Sequence, residues 1–159
     1  MAVSESIVGT HYRYPDHYAV EREKIREYAK AVQNEDPSFF SEEAAAELGY
    51  AGLPTPLTFI SVFGYRAQRA FFDDANIGIT DRQIVQIDQQ VKFMAPIQAG
   101  DELQCDVYLH SVRQAHGTDI IVTKNIITNQ DGQVVQELYT TLAGRTEENG
   151  ESGFNDGTA

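Results

Sequence analysis

The sequence is poor in cysteine, in basic residues and in long apolar runs. Its one cysteine, Cys105, excludes a disulfide within the chain, and no cluster of cysteine and histidine has the spacing of a zinc site. Lys and Arg number 12 against 24 Asp and Glu, a formal charge of -12. This charge argues against nucleic acids and anionic membranes as partners, because phosphate groups are bound by clustered cations. We therefore predict neither partner, and no metal or other cofactor.

No apolar run approaches the roughly 20 residues needed to span a bilayer. The opening stretch, MAVSESIVGTHYRYPDH, also lacks the basic start and apolar block of a secretory signal. We expect a cytoplasmic protein without a membrane span.

The chain has 159 residues, 42% of them hydrophobic, which is enough to bury one sizeable core. We therefore predict one domain over residues 1–145. The remainder, residues 146–159, is polar, Gly-rich and acidic, which is typical of a disordered tail.

Two helices are predicted before residue 50. Residues 21–32 have apolar residues at the spacing of an amphipathic helix, with charged residues on its other face. The apolar face consists of Ile25, Tyr28, Ala29 and Val32. Ser41 is a good N-cap for a second, shorter helix, which Gly49 can close.

A third and more apolar helix is predicted over residues 55–72, with Thr55 as its N-cap and Pro56 at its first position. The apolar residues of its first turns are Leu57, Phe59, Ile60, Val62 and Phe63. Because these side chains surround most of the helix, we expect its first turns to be buried on nearly all sides. Gly64 would allow another backbone to approach closely.

After residue 81 the apolar period changes to two, which predicts strands that are half buried. The inward residues of the first two strands are expected to be Val85, Ile87, Val91, Phe93, Leu103, Cys105, Val107 and Leu109. Residues 118–128 and 133–144 form a further pair around Asp131 and Gly132, a strong hairpin signal. The expected fold class is α+β, an antiparallel sheet wrapped around the central apolar helix.

The segment VKFMAPIQAGDEL, residues 91–103, resembles a phrase of MaoC-like hot-dog dehydratases and hydratases. The loop QNEDPSFFSEEAAAELGY, residues 33–50, resembles the catalytic loop of that family. When Pro37 is aligned with the proline of the family's loop, the two segments match without a gap as far as Tyr50. In this register the family's catalytic aspartate falls on Asn34 and its histidine on Phe39.

Dehydration of a 3-hydroxyacyl thioester needs a base for the α-proton and an acid for the leaving hydroxyl. Phe39 can be neither, and Asn34 exchanges no proton at neutral pH. In the family a backbone amide at the start of the central helix polarises the thioester carbonyl. Pro56 stands in that region and has no N–H. We therefore predict no catalytic residue in this chain.

Within the family the chain is similar to subunits of heterodimeric (3R)-hydroxyacyl-acyl carrier protein dehydratases, which serve type II fatty-acid synthesis of mycolic-acid precursors. The resemblance implies a catalytic hot-dog partner that supplies Asp and His, an acyl-acyl carrier protein substrate, and a tunnel for the long acyl chain in this chain. The residues expected to bind substrate are Phe39, Phe40, Pro56, Leu57, Phe59, Ile60, Ser61, Phe63, Tyr65 and Gln86. Carrier protein is itself acidic, so its docking is expected mainly on the partner.

Two other functions are open at this point. The chain could be an autonomous homodimeric hydratase whose base is an unusual residue such as Asp36, although an Asp-Pro pair in a loop usually makes a turn or a cap. It could also be a non-enzymatic module that binds acyl thioesters. The four histidines, His11, His17, His110 and His116, offer no obvious replacement for the missing one.

Overall fold

The structure is a computed structural model that describes residues 5–74 and 84–145. The predicted tail, residues 146–159, lies outside the described residues, as do the first four residues of the predicted domain. The helices are α1 (Arg22–Ala31), α2 (Glu42–Glu47) and α3 (Ser61–Asp74), with short 3-10 turns at Glu5–Ile7 and Pro37–Phe39. The strands are β1 (His11–Arg13), β2 (Tyr18–Ala19), β3 (Ile84–Phe93), β4 (Glu102–Ala115), β5 (Thr118–Thr128) and β6 (Val134–Arg145).

The strands form one antiparallel sheet in the order β1-β4-β5-β6-β3, and β2 pairs with β4. The hairpin between β5 and β6 is confirmed, with Gly132 at φ +74°. Alternate residues of β4 and β5 are buried, so the predicted inward set from Leu103 to Leu109 is confirmed. Cys105 is one of them, and burial raises the pKa of its thiol. The predicted α+β fold, a sheet around a helix, is confirmed.

Helix α3 is buried along one side, so the prediction of burial on nearly all sides is wrong. The buried residues of the helix are Phe63, Gly64, Ala67, Gln68, Phe71 and Phe72. They recur every three or four residues, which defines a single stripe. Tyr65 is 59% exposed, and Leu57, just before the helix, is 70% exposed.

The predicted start of this helix at Pro56 is also wrong, because the helix begins at Ser61. Before it the chain makes successive turns, in which Val62 N donates to Phe59 O at 3.0 Å. The carbonyl of Thr58 accepts from the hydroxyls of Tyr28 at 2.9 Å and Ser61 at 2.7 Å, and from Ser61 N at 3.1 Å. These donors replace the bond from Val62 N that a regular α-helix would give this carbonyl.

Strand β3 lies at an edge of the sheet and pairs only with β6 among the described strands. Its predicted burial is therefore wrong for Val85, Ile87 and Phe93, which are exposed, while Val91 is half buried. The register shifts between Gln86 and Asp88, so Ile87 is the extra residue of a bulge. An edge strand has no neighbour to cover it on one side, which explains the exposure.

Helix α1 buries Ile25 and Ala29 as predicted. Val32 is exposed, contrary to the prediction, because the helix ends at Ala31 and Val32 is its C-cap. Strands β1 and β2 were not predicted, since they are only three and two residues long.

Candidate functional site

The loop between α1 and α2 is fixed at its first end by a left-handed residue. Gln33 has φ +57°. Its N–H donates to Lys30 O at 3.0 Å, and the N–H of Asn34 donates to Ala29 O at 2.8 Å. This pair of bonds is a Schellman motif, which usually has glycine at the left-handed position. The predicted position of the missing aspartate, Asn34, therefore follows directly after a defined helix end.

The second half of the loop is held by α1 and by the start of α2. The guanidinium of Arg26 donates twice to the carbonyl of Phe40, at 3.1 and 2.9 Å. Ser41 Oγ accepts from Ala44 N at 3.3 Å, which confirms the predicted N-cap. Gly49 closes α2 at φ +89°, also as predicted. Hydrogen bonds therefore fix the conformation of the loop at both ends.

The polar side chains inside this loop hydrogen-bond the loop itself. Asn34 Oδ1 accepts from Asp36 N at 3.0 Å. Asp36 Oδ1 accepts from the hydroxyl and the N–H of Ser38, at 2.7 and 2.9 Å. These bonds lower the pKa of Asp36, which makes its carboxylate a weaker base. Phe39 is half buried and packs against the core. The loop therefore brings no acid and base together.

A cavity of about 370 Å³ lies between α3 and the inner face of the sheet. Three residues predicted to bind substrate meet there: Ser61 and Tyr65 on α3, and Gln86 on β3. Gly64 forms part of its floor, and a Cβ at that position would lie 3.3 Å from Leu138 Cδ2. The absence of a side chain at Gly64 thus keeps this space open. Another backbone was predicted to approach Gly64 closely, but the nearest group is a side chain of β6.

Polar side chains inside this cavity were missed by the sequence analysis. Asn125 Nδ2 donates to Gly64 O at 3.2 Å, and Gln89 Nε2 donates to Thr140 Oγ1 at 3.1 Å. Gln68, on the buried side of α3, also lines it. The available signal was the alternation along β5, in which residue 125 lies on the same inward face as Ile121 and Ile127. A polar residue at such a position is unusual for a core strand.

The other predicted substrate-binding residues lie elsewhere. Phe59, Ile60 and Phe63 are fully buried in the core. Pro56 is buried and Phe40 half buried, and Leu57 is exposed. Phe40 lines a second, more open cavity of about 670 Å³ beside Asn34 and Glu35. Their role as walls of an acyl tunnel stays a prediction.

Within residues 5–74 and 84–145 no three His, Cys, Asp or Glu side chains are grouped to hold a metal ion. In the same ranges no helix is both long and apolar enough to cross a membrane.

The sheet, the central helix and the loop before it define a hot-dog protein of the MaoC-like dehydratase class. A family model described as FAS1-like, dehydratase domain region, matches residues 6–138, and the chain belongs to that family. The family is one of dehydratases, in keeping with hydro-lyase chemistry.

Two mycobacterial relatives differ in how similar they are to this chain. The UPF0336 protein Rv0635 of Mycobacterium tuberculosis is 69% identical over 159 residues, all of both chains. The UPF0336 protein Rv0637 of the same species is 48% identical over 145 residues, 91% of this chain and 87% of the relative.

Two solved structures are similar over most of the chain. A chain of the C-terminally truncated HadBC (3R-hydroxyacyl-ACP dehydratase) complex from Mycobacterium tuberculosis is 48% identical, with TM-score 0.81 over 87% of this chain and 97% of that one. A MaoC-like dehydratase is 40% identical, with TM-score 0.82 over 89% of this chain and 43% of that one.

Proposed function

We propose that this chain is the A-type, non-catalytic subunit (HadA) of a heterodimeric (3R)-hydroxyacyl-acyl carrier protein dehydratase in the type II synthesis of mycolic-acid precursors. Its role is to bind the long acyl chain and to stabilise a HadB-like partner that supplies Asp and His. The observation that carries the proposal is the loop around Asn34 and Phe39, which keeps a built conformation while both catalytic positions have lost their chemistry. A chain that retains the scaffold without the acid and base fits a half-site.

The A type is supported by the identities of the two relatives. The matched HadBC chain and Rv0637 are each 48% identical to this chain, whereas Rv0635 is 69% identical over its full length. This chain therefore resembles Rv0635 more than it resembles the matched HadBC chain, which favours a subunit type other than the matched one.

The exposed edge of the sheet supports a hot-dog partner. β3 exposes Val85, Ile87 and Phe93, and Met94 follows it with similar exposure. Apolar residues on an unpaired edge strand favour pairing with another strand. The MaoC-like dehydratase has more than half its chain outside the region that matches this one, which leaves room for a second unit of this size.

The cavity between α3 and the sheet supports the acyl-binding role. It opens beside Ser61 and Tyr65, only a few residues beyond Pro56 and Thr58, where the family's thioester carbonyl would lie. Each methylene buried there would gain about 0.8 kcal/mol. The exposed side of α3 and the half-buried Phe39 and Phe40 would complete the tunnel once the partner covers them.

Changing Asp36 to Asn tests the alternative of an autonomous hydratase. Asparagine keeps an oxygen at Oδ1 for Ser38, so the turn is preserved while the carboxylate is lost. We expect kcat of the heterodimer to stay within about twofold, measured by hydration of a 2-enoyl thioester. A fall of roughly a hundredfold or more would identify Asp36 as the base and favour the alternative.

Association is the direct test of the subunit role. The full chain, its catalytic hot-dog partner and an equimolar mixture are compared by sedimentation velocity. We expect the mixture to form a one-to-one heterodimer. A chain that forms a stable homodimer and ignores the partner would favour the autonomous hydratase or the non-enzymatic binding module.

A further inference from the structure

The cavity between α3 and the sheet has an exposed end and a buried end. Ser61, Tyr65 and Gln86 line it and are exposed, so they lie at its mouth. Gly64 and Leu138 also line it and are buried, with Leu138 only 1% exposed. A chain that enters past Ser61 therefore ends against Gly64 and Leu138, which we call the floor of the cavity.

The floor has no spare room for a methyl group at position 64. A Cβ on Gly64 would lie 3.3 Å from Leu138 Cδ2 and 3.7 Å from Asn125 Nδ2. The first distance is shorter than an ordinary contact between two carbon atoms. Both neighbours line the same cavity, so the missing Cβ would stand at the floor itself. Glycine inside a helix is unfavourable relative to alanine, and here it allows α3 to lie against Leu138.

Helix α3 is held in place at this point. Asn125 Nδ2 donates to Gly64 O at 3.2 Å, which ties the helix to β5. Phe63 and Ala67, the neighbouring residues of the buried stripe, are fully buried in the core. A methyl group at position 64 is therefore accommodated by the flexible end of Leu138 and not by a shift of the helix. Because the core is close-packed, that end has room to move only towards the cavity.

We propose that Gly64 determines the length of the acyl chain that this cavity accepts, which makes it a specificity-determining residue. The inference rests on the proposed function, since it concerns the acyl chain of that substrate. No Asp, Glu, Lys or Arg is among the described residues that line the cavity, in keeping with a neutral alkyl chain. A raised floor excludes the last carbons of a long chain and leaves the thioester end unaffected. The effect therefore falls on KM for long chains and not on kcat.

The test is hydration of 2-enoyl thioesters by the heterodimer, with chains lengthened from crotonyl one carbon at a time. With the native chain we expect KM to fall by about fourfold for each methylene buried, until the chain fills the cavity and KM levels off. With Gly64→Ala we expect KM to level off at a shorter chain. Thioesters beyond that length then have a KM at least about fourfold higher than with the native chain. The KM for crotonyl thioester and kcat stay unchanged.

Leu138→Val is the matched variant, because it removes one carbon from the same floor without changing α3. We expect it to shift the levelling length to a longer chain, and Gly64→Ala combined with Leu138→Val to restore the native length. The same levelling length for the native chain and Gly64→Ala would overturn the inference. An equal rise of KM at every length, crotonyl included, would also overturn it. If Gly64→Ala does not co-purify with the partner, Leu138→Val decides alone, and an unchanged levelling length contradicts the inference.

Failure of the proposed function has a different signature. In that case the pair turns over no thioester of any length, and binding to the full chain decides the inference by itself. The probes are saturated fatty acids of the same lengths, with their affinities measured by isothermal titration calorimetry. An affinity that levels off at a shorter acid in Gly64→Ala supports the inference. Equal levelling lengths, or no binding at any length, contradict it.

Discussion

Changing Ile87 to Asp is expected to leave this chain folded and to prevent it from joining its partner. Ile87 is 57% exposed at the bulge of β3, so its side chain contributes little to the core of the chain. In a continuous sheet the aspartate would be buried at the seam without a cation, which is strongly unfavourable. We expect association at least about a hundredfold weaker, corresponding to roughly 3 kcal/mol. Sedimentation velocity measures the association, and turnover should fall with it.

Val8→Asp is the matched control for this substitution. Val8 is 44% exposed and lies beside β4, near the end of the sheet that is opposite β3. The next residue, Gly9, is held there by a bond from its N–H to Leu109 O. It introduces the same charge at a similar exposure, and association should be unchanged. If the Ile87→Asp variant still joins the partner and the Val8→Asp variant does not, the interface is not at β3.

Changing Phe63 to Ala is expected to destabilise the chain by about 3–5 kcal/mol, a large part of the stability of a domain of this size. Phe63 is 1% exposed, and its ring packs against Tyr18 at 5.3 Å and Tyr14 at 5.6 Å between centroids. The substitution therefore leaves a cavity where α3 meets the N-terminal segment. Urea unfolding followed by circular dichroism measures the loss.

Tyr65→Ala is the control for that prediction, since Tyr65 is on the same helix but mostly exposed. Its effect on the unfolding free energy of the isolated chain should be within about 0.5 kcal/mol. Similar losses for both variants would mean that α3 is held equally on two sides, contrary to the single buried stripe.

Much of the fold could be predicted because its signals are local. The period-two apolar pattern identified β4, Asp131 and Gly132 identified the hairpin of β5 and β6, and Ser41 identified the start of α2. Each of these depends on a residue's own backbone preference or on its immediate neighbours.

The wrong predictions concern residues whose environment depends on parts of the chain that are distant in sequence. The start of α3 depends on Tyr28, which reaches Thr58 from another helix. The exposure of β3 depends on its place at the sheet edge, which alternation alone does not specify. Asn125 was missed because its position beside Gly64 depends on how β5 packs against α3, which only the folded chain shows.

Hydration of a 2-enoyl thioester by three preparations tests the proposed half-site most directly: this chain alone, the catalytic partner alone, and the two co-expressed and co-purified. An acid and base contribute roughly 10²–10⁴-fold to such a step, and neither Asn34 nor Phe39 can act as one. We predict activity that requires the co-purified pair and that disappears when the partner's Asp or His is changed. Hydration by this chain alone would contradict the account, because Asn34 and Phe39 would then mark a site that is not the catalytic one.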